Sequence, residues 1–401
     1  MKILIVTQYF YPEDFKINEI AKFLVQSGYD VSVLTSVPNY PFGKIYDGYT
    51  MFNKRFEALD GIKIYRAPTI PRGNGSISLM LNYISFVFSS LFYSRKIRKN
   101  NYDIILGNQL SPITSMIAGI YLKRKSKIPM VLWVLDLWPE SFYGNFSFRV
   151  KLIDRFIKKL SSFIYSNTDH FLVSSKSFEK EIRKKIKRCV KFDFFPNWAE
   201  DIYFEKSPPP YPNTLPIDGF NIVFAGNMGD SQGFEDLIDI IKMDPNNGIN
   251  WILVGDGRKK DWLLEQKQTY SLNNLYLHDR VDLKYIPSLY HMADALFLTL
   301  KNTPVFANTL PGKFQGYLSS GKPILGNVSG EGKKFIEEYK IGYVNEPGNP
   351  RSLMENALKI SKLTQEELKE IEIKSKSLLE NSFNKEMILK SLQTILHNQI
   401  N

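Results

Sequence analysis

A single cysteine, Cys189, in 401 residues rules out an internal disulfide and a cysteine zinc cluster. The four histidines, at 170, 278, 291 and 397, show no paired spacing, and no Asp-x-Asp occurs. A divalent cation bridging a nucleotide diphosphate therefore has no obvious carboxylate pair. Neither G-x-S-x-G nor G-x-x-x-x-G-K-[ST] is present, which argues against a serine hydrolase and a P-loop enzyme. No G-x-G-x-x-G follows the first apolar run; TQYFYPE stands there instead, against a standard dinucleotide site. The most apolar segment, Leu79–Tyr93, has 15 residues, short of the roughly 20 that span a bilayer. The N-terminus carries one lysine and no small-residue cleavage site, so it reads as a buried strand and the expectation is a cytoplasmic protein.

Charge is plentiful and uneven. Residues 1–200 hold 30 Lys+Arg and 16 Asp+Glu, giving +14; the remainder holds 52 − 30 = 22 and 41 − 16 = 25, giving −3. The basic first half calls for an anionic partner: nucleic acid, anionic lipid or a phosphate-bearing substrate. Leu79–Tyr93 carries a thin polar stripe of Asn82, Ser85 and Ser89, and Arg95, Lys96, Arg98 and Lys99 follow it. It reads either as a buried helix on the sheet or as an interfacial helix with a basic collar. Residues 149–166 place Val150, Ile153, Ile157, Leu160 and Ile164 on one face, with cations on the others.

Short apolar runs alternate with helical patterns along the chain. Strands are expected at 2–7, 30–35, 62–67, 102–107, 129–135, 170–175 and 191–196, then at 221–226, 249–255, 275–279, 294–300, 322–326 and 341–345. Alternation of this kind makes parallel sheets covered on both faces. The stretch 201–219 contains five prolines and reads as a linker. The expected plan is a basic domain over 1–200, a linker over 201–219, a second domain over 220–380 and a C-terminal helix over 381–401.

Chemistry is expected where strands end. In the second half, Gly226, Asn227 and Gln232 follow one strand, Gly255, Asp256 and Arg258 the next, and Arg280 and Val281 a third. The stretch Leu298–Gly326 then carries Phe306, Asn308, Thr309, Gly312, Lys313 and Gln315. Glycines admit phosphates close to backbone amides. A helix restarting near Thr309–Gly312 would add a positive dipole beside Lys313. In the first half, Asp136 follows an apolar strand, where desolvation suits a carboxyl to base work; Trp138 and Glu140 accompany it. Tyr9, Glu13, Lys16 and Asn18 follow the first strand, and Asn39 and Tyr40 the second.

VFAGNMG with QGFEDLI, WILVGDG, IPSLYHMADALFLTL and YLSSGKPILG are spaced as in retaining glycosyltransferases of family 4. VLWVLDLWPES, LVSS and FPNWAE match its first half, so the resemblance covers nearly the whole chain. QYFYPE, VPNYPFGKIYDGY and P-x-K-x-Q-x-Y-L-x-x-G-K-P resemble a branch that builds bacterial O-antigen and capsule chains and includes L-fucosamine (N-acetyl-L-fucosamine) transferases. The resemblance implies a GT-B fold: two doubly wound Rossmann-like domains facing a cleft, with the C-terminal helix crossing back. It implies a UDP-sugar donor, a polyprenyl-diphosphate-linked saccharide acceptor, no metal or other cofactor, no nucleic acid, and a peripheral place on the inner face of the bacterial plasma membrane. Asp136 and Lys313 become the catalytic candidates, the second-half residues above the donor site, and the first-half residues the acceptor side.

The chain departs from the family pattern. The usual pair of glutamates falls at Asn308 and Gly316, the usual arginine and lysine at Asn227 and Gln232, and the usual histidine at Leu135. Gln315 is the nearest polar substitute for a ribose contact. Two other readings compete: a UDP-sugar 2-epimerase of the same fold, and a basic, non-enzymatic membrane- or nucleic-acid-binding protein.

Overall fold

The apolar runs rich in Val, Ile and Leu form strands because buried parallel sheets favour side chains that pack on both faces. A computed structural model describes residues 1–73, 75–145 and 151–400, and these divide into two units. Unit 1 comprises Met1–Pro196 and Glu386–Asn401; unit 2 is Asn197–Lys385.

Unit 1 runs β1 (Lys2–Val6), α1 (Lys16–Gln26), β2 (Asp30–Ser36), β3 (Phe56–Leu59), β4 (Ile62–Ala67), α2 (Ser76–Ile97), β5 (Ile104–Gln109), α3 (Ile117–Ser126), β6 (Met130–Val134), α4 (Glu140–Asn145), α5 (Lys151–Ser166), β7 (His170–Val173), α6 (Lys176–Arg183) and β8 (Lys191–Phe194). Its strand order is β3-β4-β2-β1-β5-β6-β7-β8. All neighbours are parallel except β3 and β4. The short β3 is absent from the strands expected above; half-buried and antiparallel at the edge, it has no long apolar run to reveal it.

Unit 2 runs β9 (Phe220–Asn227), α7 (Glu235–Met243), β10 (Ile249–Asp256), α8 (Lys260–Thr269), β11 (Leu275–His278), α9 (Ile286–Met292), β12 (Ala295–Thr299), α10 (Pro304–Ala307), α11 (Phe314–Ser320), β13 (Ile324–Asn327), α12 (Gly330–Tyr339), β14 (Gly342–Asn345), α13 (Pro350–Ile360) and α14 (Gln365–Ser382). The sheet is parallel throughout, in the order β11-β10-β9-β12-β13-β14. Thr364 opens α14 with a capping box: its Oγ1 accepts from Glu367 N at 3.2 Å, and Glu367 Oε2 accepts from Thr364 N at 2.8 Å. Phe383–Asn384 separate α14 from a last helix, α15 (Lys385–Asn398), within the stretch 381–401 where a C-terminal helix is expected. From that last segment His397 hydrogen-bonds the Tyr29 hydroxyl and Gln399 bonds His170, both within unit 1.

Three local expectations are corrected. The helix expected to restart at Thr309 begins at Phe314, with Lys313 at its N-cap. The side chains of Asn308 and Thr309 instead bond back to Pro304 O and Val305 O of α10. The proline-rich linker starts with a structured 3-10 turn, Asp201–Phe204. Finally, α2 spans 22 residues, longer than the apolar run, and turns a mixed face inward: Phe86, Tyr93 and Ile97 pack in the core beside a polar stripe. Its buried residues include Asn82, Ser90 and Ser94, whereas Ile77 (78%) and Phe88 (70%) are exposed. The inward stripe is held by hydrogen bonds: Gln8 Nε2 donates to Asn82 Oδ1 at 2.7 Å, Asn82 Nδ2 to Ile70 O at 2.6 Å, and Ile70 N to Ser85 Oγ at 3.0 Å. The segment from Ser76 to Asn100 is long and apolar enough to cross a membrane by length and composition. Helix α5 also exposes Leu152 and Phe156 while burying Ile157 and Ile164; Arg149 and Val150 lie outside the described residues.

Candidate active site

In unit 2 the strand order reverses between β9 and β12, the position where open α/β sheets bind ligands. The loop after β9 is zipped to the loop after β10. Gly226 lies opposite Gly255, Met228 N donates to Asp256 O at 2.7 Å, and Lys259 N donates to Met228 O at 2.9 Å. Gly255 has φ +154°, and a Cβ there would sit 1.9 Å from Gly226 O. Gly226 has φ +140°, and its missing Cβ leaves room for Lys313, whose Cε would otherwise be 2.5 Å away. These bare backbones floor a cavity of about 500 Å³.

Lys313 is the cation of that cavity wall set against the glycine floor. Its Nζ lies 3.7 Å from the centroid of the Phe224 ring and donates to Gln232 Oε1 at 3.1 Å. Gln232 is itself buried and fixed through its backbone carbonyl, which accepts from Thr299 Oγ1 at 2.7 Å. Burial pulls the Lys313 ammonium from its ordinary 10.5 down to about 7, and no carboxylate among the described residues offsets this. Such a cation gains most from an anion placed beside it, because the low local dielectric strengthens the pair.

Of the other donor-side residues, Gly226, Asn227, Gly255, Asp256, Arg280, Val281 and Gly312 line the cavity, as do Tyr203, Leu283, Ile286 and Tyr290. Arg258, Phe306, Asn308 and Thr309 do not. Neither does Gln315, which is buried and donates to Asn197 O at 3.0 Å.

At the matching reversal in unit 1, between β1 and β5, the filling differs. Gln8 Oε1, Tyr9 Oη, Asn108 Oδ1 and Gln109 Oε1 are buried and have no hydrogen-bond partner among the described residues. Burial raises the Tyr9 phenol above its ordinary range; its ring stacks on Phe15 and tilts against Tyr40. Asp136 Oδ2 accepts from Ser111 N at 2.7 Å, and burial raises its carboxyl against that bond. Several acceptor-side residues are occupied within the unit. Glu13 accepts from the amides of Phe10, Asn39 and Tyr40 at 3.1, 2.8 and 2.7 Å, clasping the loops after β1 and β2. Asn18 Nδ2 donates to Glu13 O, and Asn39 Nδ2 to Val37 O. Lys16 pairs with Glu19 and Glu140 with Lys185, and Trp138 is buried with its Nε1 on Ser111 Oγ.

Several residues beside Asp136 and Tyr9 were not singled out from sequence. Arg72 stands 5.4 Å over the Tyr40 ring and acts electrostatically on Tyr9 and Tyr83, while Asp136 acts on Tyr83. Gln8, Asn108 and Gln109 had a visible signal: amides closing otherwise apolar strands. Arg72 and Tyr83 had none. Among the described residues, no group of three His, Cys, Asp or Glu could hold a metal ion.

Comparison with known proteins accounts for both units. Residues 17–197 match Glycosyltransferase Family 4, and residues 212–398 match Glycosyl transferases group 1. The chain is thus a two-domain glycosyltransferase of the GT-B type, homologous to bacterial cell-surface glycosyltransferases. It is 25% identical over 337 residues to the Escherichia coli (strain K12) protein named "Putative colanic acid biosynthesis glycosyl transferase WcaI", covering 80% of this chain and 82% of that one. Sucrose-phosphate synthase from Thermosynechococcus elongatus has the same fold, with a TM-score of 0.73 at 14% identity over 99% of this chain and 98% of that chain. Anabaena HepE, solved in complex with UDP, gives 0.67 at 14% identity over 99% and 100%.

Proposed function

We propose that this glycosyltransferase moves a sugar, N-acetyl-L-fucosamine or a related amino or deoxy sugar, from a UDP-sugar to a polyprenyl-diphosphate-linked saccharide during O-antigen or capsule synthesis, with retention of configuration. The observation that carries the reading is Lys313, a buried cation without a carboxylate partner among the described residues, set against the glycine floor of the unit 2 cavity. The diphosphate lies on Gly226–Asn227 beside Lys313, and the base lies toward Arg280–Val281. HepE, a structural neighbour, was solved with UDP, which supports the choice of nucleotide.

Departure of UDP develops negative charge on the β-phosphate, and Lys313 stabilises it without solvent reorganisation. In the complex the phosphate restores the proton that burial loosens. The acceptor hydroxyl attacks from the face that the diphosphate leaves, with Asp136 orienting it or taking its proton. Lys313 supplies the charge, and the sequence offers no Asp-x-Asp, so the transfer is metal-independent. The exposed apolar faces of α2 and α5, with Arg95, Lys96 and neighbouring cations, rest on the anionic inner-membrane surface where such an acceptor resides.

The test is to incubate the protein with UDP-sugars and lipid-linked acceptor, without metal. Acceptor-dependent UDP release is expected. Donor conversion without acceptor would point to the 2-epimerase, and absence of both turnover and UDP binding would remove both readings.

A further inference from the structure

The proline-rich segment after unit 1 delivers one side chain to the unit 2 cavity. Tyr203, in the 3-10 turn Asp201–Phe204, lines the cavity wall. It stands on a built platform. Its ring is parallel to Tyr290 of α9 (6.1 Å, 3°), Tyr290 meets Tyr317 of α11 edge-on (5.2 Å, 87°), and the Tyr317 hydroxyl donates to Phe297 O in β12 at 2.9 Å. The turn is tied down at its start, where Asp201 pairs with Lys385 at 2.9 Å. The ring occupies space that only a glycine at 316 leaves: a Cβ there would lie 2.7 Å from Tyr203 Cζ and 2.9 Å from its Oη. Tyr290 is buried and supports the Tyr203 ring from beneath.

The platform fixes where along the cavity the phenol stands. Arg280, Val281 and Leu283 follow β11, at the sheet's outer edge, while Gly226 and Lys313 mark the reversal beside β9. Helix α9 connects β11 to β12, and Tyr203 packs where α9 meets α11, between the two ends. A nucleoside diphosphate laid along this wall has its ribose between base and phosphates. A neutral hydroxyl, able to donate and accept, matches a sugar diol.

We propose that Tyr203 is the ribose-recognition residue of this cavity, hydrogen-bonding the 2′,3′-diol of a nucleoside diphosphate. The inference rests on the donor-site reading above. Calorimetric titration of wild type and Tyr203→Phe with UDP and with 2′,3′-dideoxy-UDP tests it. Wild type is expected to bind UDP about tenfold more tightly than the dideoxy compound, the scale of one lost hydrogen bond to a buried partner. Tyr203→Phe should abolish that gap while leaving dideoxy-UDP affinity unchanged. Gly316→Val, which displaces the ring but keeps its hydroxyl, should also narrow the gap. If wild type binds UDP and Tyr203→Phe keeps the gap, or weakens both ligands equally, Tyr203 does not read the ribose. If wild type binds no UDP, the donor reading itself falls and takes this inference with it.

Discussion

The two units share one architecture and fill its reversal point with opposite chemistry. In unit 2 strands β9 and β10 close on Gly226–Asn227 and Gly255–Asp256, and Lys313 is the charge that burial perturbs there. In unit 1 β1 leads into Gln8 and Tyr9 and β5 closes on Asn108 and Gln109, neutral groups whose oxygens find no partner among the described residues. Glycine amides and a cation suit a diphosphate; neutral amides and phenols suit hydroxyls, because their cost of burial is recovered only by hydrogen bonds of their own kind. On the proposed reading, the same fold separates an anion-handling half from a hydroxyl-handling half by the residues that close its central strands. Asp136 sits in the second, as a carboxyl with burial-raised proton affinity.

If labour is divided this way, damage to each half should appear in a different kinetic constant. Asp136→Asn preserves shape but removes the base; kcat is expected to fall about 10²–10³-fold, with UDP-sugar affinity within about twofold of wild type by calorimetry. A parallel fall in donor affinity would erase the distinction between the units. Lys313→Ala is the reciprocal experiment. Loss of a desolvated, charge-assisted contact should weaken UDP-sugar binding about 100-fold. Unchanged affinity would take Lys313 out of the donor site.

Much of this comparison was legible in sequence, for identifiable reasons. Parallel strands buried on both faces announce themselves as apolar runs, so the alternating strands of both halves and the loops that close them could be located. Lys313 and the glycines were visible because they interrupt an apolar pattern at strand ends. Tyr203 was hidden because prolines at 208, 209, 210, 212 and 216 marked its segment as a linker, and only the stack on Tyr290 makes it part of a wall. Helix α2 left two readings open, because a thin polar stripe on an otherwise apolar segment fits a buried helix as well as an interfacial one. What decides its orientation is long-range: Asn82 meets Gln8 across 74 residues, so the polar stripe faces inward with Phe86, Tyr93 and Ile97 and the remaining apolar residues, Ile77 and Phe88 among them, are left outside.

That orientation distinguishes the units again, since α2 and α5 of unit 1 expose apolar rows beside clustered cations. Replacing Ile77 and Phe88 together by serine should reduce binding to phosphatidylglycerol vesicles about tenfold in co-sedimentation, given the usual gain per buried apolar side chain. Because both residues are exposed, the thermal midpoint should hold within about 2 °C. Equal vesicle binding by the variant would leave the surface without a membrane role.

The last contrast lies in the opposite pH responses of two groups that burial perturbs. Burial raises Glu13 of unit 1 from 4.5 to about 7, against the pull of three amide donors, and lowers Lys313 of unit 2 from 10.5 to about 7. Between pH 4.5 and 7 folded Glu13 holds more proton than the unfolded chain. Its contribution is therefore complete below 4.5 and lost as pH rises through 7. Between pH 7 and 10.5 folded Lys313 holds less proton than the unfolded chain. Its contribution is complete above 10.5 and lost as pH falls through 7. Each group has a limiting slope of about 1.4 kcal/mol per pH unit within its window. Urea unfolding across pH should therefore show Glu13→Gln removing a fall on the acid side, and Lys313→Met removing a rise on the alkaline side. If Lys313→Met instead flattens the acid window, the buried charge that titrates there belongs to unit 2, and the electrostatic contrast between the halves is reversed.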